Sequence, residues 1–124
     1  MNSVVYFEIP VDELERAEEF YSRAFGWTMR RMQELDYTAI MTSSQEEELP
    51  PKRGSINGGM QKRAKGVVHP VITIRVESID SSLQKIEELG GKIFIPKAKV
   101  SDMGFSAYFH DSEGNVLGLW QDSV

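Results

Sequence analysis

Few side chains in this sequence could do chemistry, and most of them sit in or beside two short apolar runs. Glu8 interrupts VVYFEIPV, and Arg75 ends VITIR. A carboxylate and a guanidinium in such surroundings must be paired, hydrogen-bonded or neutralised. The two can form a Glu8–Arg75 ion pair of purely structural use, or Glu8 can orient a ligand or serve as a general base. The only histidines are His69 and His110. Together with Glu8 they have the donor types of a divalent-metal site, but their placement is scattered, and a solvated or core-paired histidine is the default. Tyr6, Tyr108 and Trp120 carry a polar handle on an aromatic body, which suits either the wall of a small-molecule pocket or the filling of a core. The sequence has no cysteine, no Ser/His/Asp grouping, no phosphate-cradling glycine loop and no dinucleotide fingerprint. Gly58-Gly59 fits close strand packing better than phosphate contact.

The chain that must position these groups has 124 residues, enough for one domain with a core and too few for two independent ones. Its apolar fraction of 40% and charged fraction of 27% are ordinary for a globular protein. No apolar run approaches the roughly 20 residues that cross a bilayer, and MNSVVYFEIP lacks the marks of a secretory leader. A cytoplasmic location without a membrane partner is therefore expected, and the lack of cysteine agrees with a reducing compartment. The formal charge of −5 argues against nucleic acid as a partner, because phosphate binding needs a basic face. The basic run Lys62-Arg63-Ala64-Lys65 reads as a solvated linker.

The elements come twice. Val5, Phe7 and Ile9 alternate with Tyr6, Glu8 and Pro10, the period of a strand with two distinct faces. Asp12 and Glu15 have capping-box spacing, Leu14, Ala17, Tyr21, Ala24 and Phe25 form one helical stripe, and Gly26 is placed to end the helix. Strands are expected at Trp27 to Met32, Tyr37 to Thr42 and Ile56 to Gln61, with a mobile acidic and proline-rich loop from Ser43 to Ser55. An offset of 76 − 11 = 65 lays Val11 on Val76, Phe7 on Ile72, Ile9 on Ile74, Leu14 on Ile79 and Gly26 on Gly91. In this second copy Ser78 is the N-cap, Ile79, Leu83, Ile86 and Leu89 share a helical face, and Gly90-Gly91 ends the helix. Strands follow at Lys92 to Ile95, Phe105 to His110 and Val116 to Gln121, the last two joined by the turn Asp111-Ser112-Glu113-Gly114-Asn115. Tyr37 to Met41 lies over Phe105 to Phe109, and Gly59 over Gly118.

FEIPVDELERAEEFYSRAFGW, RVESIDSSLQKIEELGGKI and the closing FHDSEGNVLGLWQ resemble the vicinal oxygen chelate superfamily. This superfamily includes glyoxalase I, extradiol dioxygenases and bleomycin-resistance proteins, and the resemblance is nearest to its glyoxalase-like branch. It spans essentially the whole chain. It implies an α+β fold in which two tandem βαβββ modules form an open, curved, eight-stranded barrel-like sheet. Module 1 would span about 1–61, the linker 62–69 and module 2 about 70–124.

Active members of the superfamily hold a divalent metal on four positions, one from the first and one from the last strand of each module. Those positions fall here on Tyr6, Gly59, Val71 and Gly118, and none is a good ligand, so neither metal nor other cofactor is expected. Strand alternation puts Tyr6, Glu8, Val71, Thr73, Arg75, Gly118 and Trp120 on the cavity wall. Tyr108, ten residues before Gly118, matches the place of an active-site tyrosine in extradiol dioxygenases. Glycine at both former ligand positions suggests open volume. The expected function is binding of a small organic molecule in the cavity between the modules of a homodimeric, metal-free protein. The alternatives are a metal-dependent lyase, isomerase or dioxygenase with displaced ligands, a drug-sequestering protein whose acidic cleft draws a cationic ligand, and an accessory subunit.

Overall fold

The computed structural model describes residues 1–43, 54–63 and 66–123. Most of the loop expected at Ser43 to Ser55, and Ala64-Lys65 of the basic run, lie outside the described residues. The chain order is β1 (Val4–Val11), α1 (Leu14–Phe25), β2 (Thr28–Met32), β3 (Tyr37–Met41), β4 (Asn57–Lys62), β5 (Val71–Arg75), α2 (Ile79–Glu88), β6 (Lys92–Val100), β7 (Gly104–His110) and β8 (Val116–Asp122). The fold is α+β, and the repeat read from the sequence is a repeat of βαβββ structure. A 3-10 turn at Gln33–Leu35, closed by Asp36 in the left-handed region at φ 50°, joins β2 to β3 and was not foreseen. Contacts divide the chain into two compact units, Tyr6–Pro70 and Met1–Val5 with Val71–Val124.

In the first unit the strands run in the order β2-β3-β4-β1, with β1 parallel to β4 and the other neighbours antiparallel. Val11, Leu14, Ile40 and Met60 form the buried core under α1, joined by Phe7, Ile9, Ala17, Tyr21, Trp27 and Met29. The helical stripe is narrower than the sequence spacing implied. Ala24 and Phe25 are exposed, and the Phe25 ring leans on Trp27 and Tyr21 at 5.6 and 6.3 Å between centroids. The capping box is not made either. Glu13 is the N-cap and no side chain accepts there, because the Asp12 carboxylate takes Arg63 at 2.7 Å instead. Gly26 ends α1 at φ 74°, where a side chain would be strained.

The second unit has the order β5-β8-β7-β6, with β5 parallel to β8. Its core is Val76, Ile79, Leu83, Ala107, Phe109 and Leu119, with Ile74, Ile86, Phe105 and Leu117 packed against it. Ser78 caps α2 by accepting from the Ser81 amide at 3.1 Å, and the Ile79 amide donates to Gln121 Oε1 at 2.8 Å. The positive φ after this helix falls on Gly90 (99°), not on Gly91, the residue aligned with Gly26. Gly91 has a different duty, since a Cβ there would lie 2.5 Å from Ile86 Cγ2. Leu89 leaves the stripe and is exposed. β6 continues to Val100, five residues past its expected end, with register irregularities between Ile93 and Ala98. The Asp111 carboxylate organises the β7–β8 turn, accepting from the Glu113 and Asn115 amides at 2.9 Å each.

One expectation about register is wrong by a single residue. Gly59 is paired with Ala39, and its counterpart Gly118 is paired with Tyr108. Ala39 therefore corresponds to Tyr108, and Thr38 to Ala107, rather than Tyr37 to Phe105. In a strand a slip of one exchanges the faces. It moves Tyr37 from the helix side of its sheet to the opposite side.

Candidate functional site

In each unit the candidate site residues of the strands lie on the face away from the helix. In the first unit that face bears Tyr6 and Glu8 from β1, Tyr37 from β3, and Gly59 and Gln61 from β4. The parallel register sets Glu8 opposite Gly59, and the antiparallel register sets Gln61 opposite Tyr37. The Tyr6 and Tyr37 hydroxyls are hydrogen-bonded to each other. Gln61 Nε2 donates to Glu8 Oε2 at 2.8 Å. Burial first, and then the nearby Glu8 charge, push the Tyr6 phenol above its ordinary range, so it keeps its proton at neutral pH.

The second unit assembles a different set. Val71 and Thr73 are buried on β5, with 2% and 5% of their surface exposed. Thr73 pairs with Gly118, Arg75 with Trp120, and Tyr108 with Gly118 from the other side. Thr73 Oγ1 is buried and has no hydrogen-bond partner among the described residues. Arg75 reaches Asp122 at 3.6 Å, and Trp120 Nε1 donates to Asp122 Oδ1 at 2.7 Å. The structure therefore supplies local partners to both charges weighed for a Glu8–Arg75 pair: Gln61 for Glu8, and Asp122 for Arg75.

The volumes expected to lie open above the two glycines are filled. A Cβ on Gly59 would fall 1.7 Å from the Tyr37 hydroxyl and 2.7 Å from that of Tyr6. On Gly118 it would fall 2.7 Å from Thr73 Oγ1. The glycines make room for neighbouring side chains. This also decides how well the residues fit the superfamily's metal. In the first unit the space of one ligand is taken by the Tyr37 and Tyr6 phenols. In the second, Val71 offers only carbon and Gly118 has no side chain to offer. The residues do not fit a metal at these positions.

The displaced set fares no better. His69 is exposed and precedes β5, and the His110 ring stacks on Phe94 at 4.7 Å. Among the described residues no group of three or more His, Asp or Glu side chains could hold a metal ion. Two residues of the polar face, Tyr37 and Gln61, were missed from the sequence. Gln61 was findable, because it stands two residues after Gly59 on one strand and must share its face. Tyr37 was hidden by the register slip.

Residues 3–43 match the family of bleomycin resistance protein-like N-terminal domains. The chain is 32% identical over 87 residues to an Arabidopsis thaliana protein named as a probable chloroplastic lactoylglutathione lyase. That match covers 67% of the chain and 25% of the relative, so the chain spans about a quarter of that protein's length. It is 25% identical over 118 residues to a glyoxylase-like domain-containing protein of Didymella fabae, covering 90% of the chain and 88% of the relative. Among solved structures it resembles a hypothetical protein from Bacillus halodurans (TM-score 0.66, 13% identity, 99% and 96% of the two chains). A methylmalonyl-CoA epimerase from Streptomyces coelicolor bound to 2-nitronate-propionyl-CoA is similar too (TM-score 0.64, 13% identity, 98% and 97%). At such identities these two matches speak for the fold. Repeat, fold and matched segments together define a two-module glyoxalase-type protein. The chain belongs to the vicinal oxygen chelate superfamily, among its bleomycin-resistance and glyoxalase-like members.

Proposed function

We propose that this protein binds a small organic molecule on the helix-distal faces of its sheet strands, without a metal, and that it works as a cytoplasmic homodimer. The observation that carries the reading is the chemistry of those faces. The apolar cores lie under the helices; in the first unit the other strand face carries two phenols, a carboxylate and an amide, and in the second Thr73 on that face keeps a buried hydroxyl with no partner among the described residues. Aromatic walls with a few convergent polar groups are how proteins hold small ligands. Tyr6, Glu8, Val71, Thr73, Arg75, Tyr108, Gly118 and Trp120 are the proposed contributors, with Tyr37 and Gln61 added. Acyl thioesters are the first ligands to try. One structural neighbour holds 2-nitronate-propionyl-CoA, and the Arabidopsis relative's name specifies a lactoylglutathione lyase.

Trp120 gives a direct test. With Trp27, which packs on the helix side, replaced by Phe, emission reports on Trp120 alone. Saturable quenching by propionyl-CoA or S-lactoylglutathione is the expected result. Flat titrations with these and with a broad set of neutral and cationic small molecules overturn the reading. The metal-independent part has its own test. A metal bound to the native state at a hundredfold excess over its dissociation constant would add about 2.7 kcal/mol. That is a shift of several degrees in melting temperature for a domain of this size. Melting curves with nickel, zinc, manganese or iron(II) are expected to overlay those with chelator. An upward shift abolished by Glu8→Ala or His69→Ala would reverse this part.

A further inference from the structure

We infer that the Tyr6–Tyr37 phenol pair is a hydrogen-bond donor site for a neutral carbonyl oxygen of the ligand, and that it stands where the superfamily would place a metal ligand. The inference rests on the small-molecule reading above and adds the chemistry of recognition. Two hydroxyls bonded to each other spend one proton between them. The second proton has no acceptor among the described residues, and both tyrosines keep part of their surface exposed. The pair therefore has one O–H to offer, at the place that a side chain on residue 59 would otherwise occupy. Burial and then the Glu8 charge hold the Tyr6 phenol above its ordinary range, so Tyr6 keeps its proton through the physiological range.

Glu8 sets the charge that this donor accepts. It lies two residues from Tyr6 on the same face, and Gln61 Nε2 holds its carboxylate at 2.8 Å. The Glu8 charge already disfavours a negative charge on the Tyr6 oxygen, and it would disfavour one on a bound oxygen beside it. A carboxylate or enolate oxygen is penalised there. The neutral carbonyl of a ketone, amide or thioester is not.

Acetophenone carrying carbon-13 at its carbonyl tests this, because hydrogen bonding to the oxygen moves that resonance downfield. The expected result is a downfield shift on binding to the wild-type protein. The shift should be lost, with roughly three- to tenfold weaker binding, in Tyr6→Phe and in Tyr37→Phe. Benzoate, of similar shape but charged, should bind more weakly than acetophenone, and Glu8→Gln should narrow that gap. If Tyr37→Phe does not fold, Tyr6→Phe reads the same proton. Binding without a downfield shift, or a shift unchanged in both variants, overturns the inference. So does failure of acetophenone to bind while a thioester still quenches Trp120, a result that leaves the binding reading standing. Silence from every compound in both experiments overturns both.

Discussion

The two halves of this chain solve the same packing problem in opposite ways. By the 65-residue offset Glu18 of α1 corresponds to Leu83 of α2, and by the corrected strand register Thr38 corresponds to Ala107. In the second half Leu83 and Ala107 are plain core residues, 6% and 1% exposed. In the first half the same helix–sheet contact is polar. Arg31 Nη2 and Nε donate to the Glu18 carboxylate at 2.7 and 3.0 Å, and the Thr38 hydroxyl donates to it at 2.5 Å. Thr38 is completely buried. A polar contact between two elements is only as good as its completeness, whereas an apolar one degrades gradually.

The largest expected effect comes from making the first half imitate the second by one residue only. Glu18→Leu strands the Thr38 hydroxyl in the core and removes the partner of Arg31. It should cost about 2–3 kcal/mol in chemical denaturation. Adding Thr38→Ala should recover most of that loss, because an apolar pair of similar fit is often as stable as the polar one it replaces. A double variant no better than the sum of its singles would mean that the contact is not a coupled unit. The same carboxylate predicts a pH dependence. Burial opposes its charge, but the Arg31 and Thr38 hydrogen bonds and the guanidinium charge outweigh burial and hold its pKa below the usual range. With the folded value depressed, this contribution is present above the ordinary glutamate range and is lost as pH falls through the folded value. Denaturation midpoints should therefore drop less between neutral and acid pH in the Glu18→Leu, Thr38→Ala double variant than in wild type.

A smaller contrast lies on the other face of the sheets. Alanine at Gly59 must push aside the tip of the Tyr37 ring, its hydroxyl and Cζ both, and the Tyr6 hydroxyl, and overpacking of this kind costs about 1–3 kcal/mol. Alanine at Gly118 meets only the Thr73 side chain, which can respond by changing its rotamer. Gly59→Ala should lower the melting temperature more than Gly118→Ala, and Tyr37→Phe should soften the Gly59→Ala loss. Equal losses would mean that the backbone, not the neighbouring side chains, requires glycine at both sites.

Much of this was legible in the sequence for a physical reason. Alternation in β1 and the helical spacing of α1 and α2 follow from packing of helix on sheet, so Phe7, Ile9 and Leu83 announced their faces, whereas in β5 Val71 and Thr73 on the other face are the buried pair and Ile72 is exposed. The offset of 65 carried Glu8 to Thr73, and the match of the closing strands carried Gly59 to Gly118, as the pairings Glu8–Gly59 and Thr73–Gly118 bear out. What stayed hidden depends on pairing between strands distant in sequence. β3 alternates too, but Tyr, Ala and Met suit either face, and without the Ala39–Gly59 register nothing locates Tyr37. Glu18 was hidden for the opposite reason. A glutamate within an acidic helix reads as solvated, and only the placement of Arg31 and Thr38 beneath it turns it inward.

The smallest predicted effect concerns Thr73, which takes the place of Glu8 in the second half. Glu8 is given a donor by Gln61, whereas Thr73 Oγ1 is buried with no partner among the described residues. A hydroxyl without a hydrogen bond in the interior is a cost, and valine has nearly the same shape without it. Thr73→Val should thus raise stability by about 1 kcal/mol, or roughly 3–5 °C in melting temperature. This sign is opposite to that of a buried threonine whose hydroxyl is satisfied. A fall in melting temperature would mean that Thr73 finds a partner in solution, and the contrast drawn with Glu8 would then fail. The variant also separates stability from binding. If the uncommitted hydroxyl exists to meet a ligand, Thr73→Val should melt higher on its own yet gain less from a saturating ligand than wild type does, a difference that parallel melting curves can resolve.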